Sequence, residues 1–113
     1  MSKVLSIIIP TYNMEKYLRH CLQSLVTTPE LMVLLEVLII NDGSKDSSSA
    51  IGHEFENEYP ETFKVIDKPN GNYGSCVNRG VQEATGKYVK VLDADDSFNN
   101  NSFEEFLSKL KDC

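Results

Sequence analysis

The chain has 113 residues, with 17 acidic and 11 basic side chains, a formal net charge of −6, and 41% hydrophobic and 25% charged residues. That is one domain of ordinary globular usage, which excludes a wholly disordered chain. The acidic balance argues against non-specific nucleic-acid binding, which needs clustered Lys and Arg.

Val4 to Ile9 is a nearly continuous apolar run ending at Pro10. It predicts a strand buried on both faces. It is too short and wrongly flanked for a signal peptide. Tyr17, Leu18, Cys21, Leu22 and Leu25 recur at helical spacing and predict a helix. The longest apolar stretch, Leu31 to Ile40, is interrupted by Glu36. A bilayer span takes about 20 apolar residues, so no transmembrane segment is expected. Val37 to Ile40 predicts a second buried strand, stopped by Asn41-Asp42-Gly43-Ser44. Ser47-Ser48-Ser49 reads as a helix start, with Ser44 or Asp46 as cap. Ile51, Phe55 and Tyr59 continue that helix until Pro60. Phe63 to Ile66 predicts a third strand. After a loop with Asn70, Gly71, Asn72 and Gly74, Cys76, Val77, Gly80, Val81 and Ala84 suggest a small-faced helix, with Gly86 as C-cap. Tyr88 to Leu92 predicts a fourth strand. Phe103, Phe106, Leu107 and Leu110 mark a last helix, with Ser102 and Glu105 fitting a capping box.

The order β-α-β-α-β-α-β-α predicts a Rossmann-like α/β/α layering around a mostly parallel sheet. Ligands of such sheets bind at the carboxyl ends of the strands, near the switch in strand order. Three strands end in polar clusters: Pro10-Thr11-Tyr12-Asn13, Asn41-Asp42-Gly43-Ser44 and Asp93-Ala94-Asp95-Asp96. These should meet in space. Carboxylates crowded at one strand end suit Mg²⁺ or Mn²⁺, with a polar turn as the plainer reading. Asp42 is a turn residue or an acceptor for a base or ribose. Tyr12 is a packed aromatic or a stacking surface for a base. The loop Asn70 to Gly74 lets backbone approach a ligand, and the helix behind it offers N–H groups to an anion. His20 and His53 read as surface or boundary residues, and Phe55, Phe103 and Phe106 as core. Cys21, Cys76 and Cys113 lack metal or disulfide spacing and read as reduced, mostly buried thiols of a cytosolic protein.

Taken in order, Ile7-Ile8-Ile9-Pro10-Thr11-Tyr12-Asn13, Glu36 to Ser44 with Asp46, Asn70-Gly71, Asn78-Arg79-Gly80, Ala84 to Tyr88 and Val91 to Asp96 resemble glycosyltransferase family 2, of GT-A fold. The resemblance covers essentially the whole chain. It implies a nucleotide-diphospho-sugar donor, with uridine the leading base, held by Pro10, Thr11, Tyr12, Asp42, Asn70, Gly74, Asn78, Asp93 and Ala94. Tyr12 would lie against the base, Asp42 bond to its edge and Asp93 contact ribose or diphosphate. Asp95, with Asp93, would ligate Mg²⁺ or Mn²⁺, and Asp96 would support that shell or face the sugar. The reaction implied is inverting transfer to a glycan or lipid-linked acceptor in polysaccharide biosynthesis. The family also implies a cytoplasmic protein, peripheral at the membrane's cytoplasmic face in the full-length enzyme.

Two positions depart from the pattern: Asn41 stands where many members have Asp, and Val77 where many have a phosphate-binding Arg. Arg79 or Lys68 would have to replace that charge. The chain stops at Cys113, so the expectation is residues 1–113 as the donor-binding half, without the acceptor wall and general base. Such a piece is expected to bind donor without transfer, and to form a homodimer through apolar surface on the last helix. The competing readings are a non-catalytic nucleotide-binding or interaction module and, more remotely, a receiver-type signalling domain. The latter needs an acidic pair after strand one, where Pro10-Thr11-Tyr12-Asn13 stands.

Overall fold

A computed structural model describes residues 3–112. Four parallel strands, β1 (Leu5–Thr11), β2 (Leu35–Asp42), β3 (Phe63–Lys68) and β4 (Tyr88–Val91), form one sheet in the order β3-β2-β1-β4. The helices are α1 (Glu15–Gln23), α2 (Pro29–Met32), α3 (Ser48–Glu58), α4 (Tyr73–Glu83) and α5 (Asn100–Lys111). The chain steps outward from β1 to β3. Then α4 carries it back past β2 and β1 to the far side. Strand order therefore reverses between β1 and β4, which places the ligand crevice at their carboxyl ends.

Alternation along β1 and β2 divides the core. Leu5, Ile7, Ile9, Leu35, Val37 and Ile39 join Leu18, Cys21 and Leu22 of α1, Ile51 and Phe55 of α3, and Phe103 and Leu107 of α5. Ile8, Leu38 and Ile40 face the other way, with Ile66 and Cys76, under α4. Gly80 lets α4 sit directly on β1, because a Cβ there would lie 2.4 Å from Ile8 Cγ2. Glu36, the interruption in the apolar run, has a structural reason. Its carboxylate accepts from Ser6 Oγ at 2.7 Å, Thr85 N at 2.8 Å and Thr85 Oγ1 at 3.0 Å, tying the α4–β4 connection to the sheet.

Several local expectations need correction. The short α2 was not foreseen; Pro29 opens it. Gly86 is not a C-cap: α4 ends at Ala84 with φ −66° and ψ 135°. Gly86 is instead a close approach, since its Cβ would lie 2.6 Å from the Ser6 backbone nitrogen. The cap of α5 is Asn99, whose side chain accepts from Asn101 N and Ser102 N at 3.0 and 3.3 Å, not Ser102. Phe103 and Leu107 are fully buried, and Phe106 is 38% exposed. The last helix therefore packs Phe103 and Leu107 into the core and leaves Phe106 at the surface. Tyr17 and Val81 are exposed, against the faces predicted for them. Cys21 and Cys76 are buried as expected, and Cys113 lies outside the described residues. Among the described residues no helix is long and apolar enough to cross a membrane.

Candidate functional site

The loops after β1 and β2 hold each other. Asn13 adopts a left-handed φ of 52°. Its backbone N–H donates to Ser44 Oγ at 2.9 Å, and its side-chain Oδ1 accepts from Lys45 N at 2.8 Å. Met14 N donates to Ser48 Oγ at 2.9 Å and Glu15 N to Asp46 Oδ2 at 3.1 Å, so neighbouring side chains satisfy amides at the start of α1. In return Glu15 Oε2 accepts from Ser47 N at 3.1 Å. This clasp fixes the backbone beside Tyr12, which stays 44% exposed.

Asp42 ends β2 and is buried. Its Oδ1 accepts from Lys68 Nζ at 2.6 Å and Gly71 N at 2.8 Å, and its carbonyl accepts from Asn70 Nδ2 at 3.0 Å. Burial pushes the carboxyl up, but Lys68 and the Gly71 amide outweigh it and leave it below the ordinary carboxylate value. Gly43 allows the approach of the two loops: its φ is +70°, and a Cβ would lie 2.9 Å from Asn70 N. Asn72 caps α4, accepting from Ser75 N at 2.8 Å while Ser75 Oγ accepts from Asn72 N at 3.1 Å.

Beyond β4, Asp93, Asp95 and Asp96 place carboxylate oxygens within 4.8 Å of one another, all exposed. Asp96 N donates to the Asp93 carbonyl at 3.0 Å, which closes the turn. Tyr73 reaches across from α4, its hydroxyl donating to Asp93 Oδ1 at 3.2 Å. Three hard oxygen donors open to solvent suit Mg²⁺ or Mn²⁺, which keep several waters and take few protein carboxylates. Burial pushes the nearby Cys21 thiol up to about 12, with Asp96 and Asp95 adding to it, so this cysteine is an inert core thiol.

These parts surround a crevice of about 610 Å³. Of the residues expected to hold the donor or metal, Pro10, Thr11, Tyr12, Asp42, Asn70, Asp93, Ala94 and Asp95 line it. Gly74 and Asn78 are exposed on α4 outside the lining, and Asp96 sits beside the other two aspartates. Gly71 and Asn72 of the flagged loop and Cys76 of the small-faced helix also line it, as do Met14 and Tyr73, which the sequence does not single out. Met14 and Tyr73 each sit at a helix start and are brought here by tertiary packing, which leaves no local signal. The lining holds three carboxylates and no Lys or Arg. Neither proposed substitute for Arg at Val77 is free: Lys68 is paired with Asp42, and Arg79 Nε contacts Glu83 Oε1 at 3.2 Å. His53 sits at the boundary as expected, and it is held there by two carboxylates. Its ring nitrogens contact Glu56 Oε1 at 2.9 Å and Asp67 Oδ2 at 3.0 Å, and Asp67 Oδ1 accepts from Asn41 Nδ2 at 2.7 Å.

The fold and crevice define an α/β protein of GT-A type, with a carboxylate-rich site at the switch in strand order. The sequence matches the profile of glycosyl transferase family 2 over residues 6–112, and the chain belongs to that family. An uncharacterized glycosyltransferase of Mycoplasma pneumoniae is 42% identical over 101 residues, covering 88% of this chain and 33% of that protein. A minor teichoic acid biosynthesis protein of Bacillus subtilis is 33% identical over 103 residues, covering 91% of this chain and 11% of that protein. Among solved structures, S. aureus TarS 1–349 in complex with UDP-GlcNAc superposes with a TM-score of 0.79 at 28% identity, covering 96% of this chain and 31% of that one. A mannosyltransferase of Pyrobaculum calidifontis in complex with GDP-Man and Mn²⁺ has the same fold, with a TM-score of 0.81 at 18% identity, covering 98% of this chain and 32% of that one. The chain thus spans about a third or less of the length of these proteins.

Proposed function

We propose that this chain holds the donor of a metal-dependent, inverting sugar transfer, and that the donor is a uridine-diphospho-sugar. The observation that carries this reading is the charge of the crevice. Lys68 meets the charge of Asp42, but Asp93 and Asp95 line the crevice with no Lys or Arg among the lining residues, so a divalent ion would offset their repulsion of a diphosphate. Asp95 and Asp93 would hold Mg²⁺ or Mn²⁺, and the chemistry supplied is neutralisation of charge on the leaving diphosphate.

The chain's own residues would do the rest. Tyr12 offers a ring face to the base and Asp42 an acceptor to its edge. Pro10, Thr11 and Ala94 shape the floor, Asn70 and Gly71 bring backbone close, with Gly74 behind them in the first turn of α4, and Asp93 reaches ribose or diphosphate. Asn78 stands one helical turn further along α4, and Asp96 would support the ion or face the sugar. A general base must take the proton from the acceptor hydroxyl in an inverting transfer, a contribution of about 10²–10⁴-fold. We assign none among residues 3–112. The 113-residue polypeptide is therefore proposed to bind donor without turnover, and the acceptor is proposed to be a glycan or lipid-linked glycan. The test is calorimetric titration with uridine diphosphate, with and without Mn²⁺. Binding that needs the metal supports the reading, and equal binding without it removes the role of Asp95.

A further inference from the structure

Lys68 closes β3 and turns its ammonium inward, under the crevice. Its Nζ donates to Asp42 Oδ1 at 2.6 Å, to the Pro69 carbonyl at 2.9 Å and to Ser75 Oγ at 3.1 Å. All three donors of the ammonium are used. The pair is nearly out of water, with side chains 13% and 8% exposed. The same Oδ1 also accepts from Gly71 N at 2.8 Å. Two donors fill the two lone-pair sites of that oxygen. Oδ2 is what they leave of this carboxylate for the crevice that Asp42 lines. The Cys76 thiol also reaches the carboxylate, but a thiol is a weak donor that a ring N–H displaces.

We propose that Lys68 is a specificity-determining positioning residue: by engaging Oδ1 it makes Asp42 a one-oxygen acceptor, which selects uracil over guanine. Uracil presents one ring N–H between two carbonyls and needs one acceptor oxygen. Guanine presents a ring N–H beside an amino group and needs both oxygens of a carboxylate. The ammonium acts a second time through charge. Uracil's carbonyls flank its N–H and would repel a bare carboxylate, and Lys68 offsets that charge at a fixed point. The inference rests on the assignment of Asp42 to the base edge and goes beyond it by naming what chooses the base. The fold leaves that choice open, since structures sharing it hold a uridine nucleotide in one case and a guanosine nucleotide in another.

The experiment is calorimetry of the 113-residue chain with UDP and with GDP, at saturating Mn²⁺, for the parent, Asp42→Ala, Lys68→Met and Lys68→Gln. Mn²⁺ alone is titrated into each. The parent should prefer UDP by about tenfold or more, the worth of one charge-assisted hydrogen bond. Lys68→Met should lose about tenfold in UDP affinity while GDP affinity holds or rises, with Mn²⁺ binding unchanged. A merely structural lysine would weaken both nucleotides alike. If Lys68→Met does not fold, Lys68→Gln tests the charge alone: it keeps a donor for Oδ1, so it should lose part of the parent's UDP preference, and an undiminished ratio overturns the proposal. Equal affinity of the parent for UDP and GDP overturns the proposal without any variant. If the parent prefers UDP and Asp42→Ala weakens it, but both Lys68 variants keep the parent's ratio, this proposal falls and the donor reading stands. If the parent binds neither nucleotide, both fall.

Discussion

Gly80→Ala tests whether α4 is seated on the sheet as closely as the site requires. The new methyl would lie 2.4, 2.8 and 2.9 Å from Cγ2, Cγ1 and Cδ1 of Ile8. Ile8 is fully buried and β-branched, so it has no rotamer to retreat into. Overpacking of this kind costs about 1–3 kcal/mol, and three short contacts put this case near the top. Alanine recovers about 1 kcal/mol of helix propensity. The net expectation is a loss of about 2 kcal/mol. For a domain of this size that lowers the Tm by about 8 °C. The least costly relief is a shift of α4 away from β1. That shift would carry Asn72 and Tyr73, which line the crevice, so UDP affinity should fall as well. Urea melts and UDP titrations of parent and variant measure both effects. A variant as stable as the parent, or about 1 kcal/mol more stable as propensity alone dictates, would refute the seating of α4 on Ile8.

Asp95→Ala should abolish the Mn²⁺ dependence of UDP binding while changing stability by no more than about 0.5 kcal/mol, because the residue is exposed among like charges; urea melts and titrations of the same sample check both. Asp42→Ala should weaken uridine binding even without metal, and removing one partner of a buried pair should cost about 3–5 kcal/mol; undiminished uridine affinity in a folded variant would reduce Asp42 to a turn residue. Hydrogen bonds to Asp67 and Glu56 raise the His53 pKa above 6.5, against burial. A raised folded value means stabilisation that is complete below the unfolded pKa of about 6.5 and lost as pH rises through the folded one. His53 is 43% exposed, so the effect is screened to under about 1 kcal/mol. Urea melts at pH 6 and pH 9 should show the parent's advantage over His53→Gln shrinking with pH, and a constant difference would contradict the pairing.

Strands β1 and β2 were legible because burial on both faces writes continuous apolar runs into the sequence. The candidate site was legible because polar residues stand out where strands stop, as at Tyr12, Asp42, Asp93 and Asp95. Helix starts were less so. In Asn99-Asn100-Asn101-Ser102 more than one residue is a competent cap, and tertiary packing decides among them. Gly86 shows a second limit, since a glycine kept for close approach looks the same as one kept for positive φ. Residues that meet through loop packing left no periodic trace. The Lys68–Asp42 pair joins two strand ends 26 residues apart, and Cys76 lies under the crevice as part of the smaller core. The turn at α2 was hidden inside an apolar stretch that alternation could not parse.

In the proposed function a uridine diphosphate lies along the carboxyl edge, its base between Tyr12 and Asp42 and its phosphates at the aspartates beyond β4. The most direct measurement is a set of amide NMR spectra of the 113-residue chain with UDP and Mg²⁺, and then with traces of Mn²⁺. Amide shifts are expected at Tyr12, Asp42 and Gly71 on adding UDP and Mg²⁺, and selective paramagnetic broadening at Asp93, Asp95 and Asp96 with Mn²⁺. Broadening centred elsewhere, or UDP shifts that miss the ends of β1 and β2, would contradict that placement.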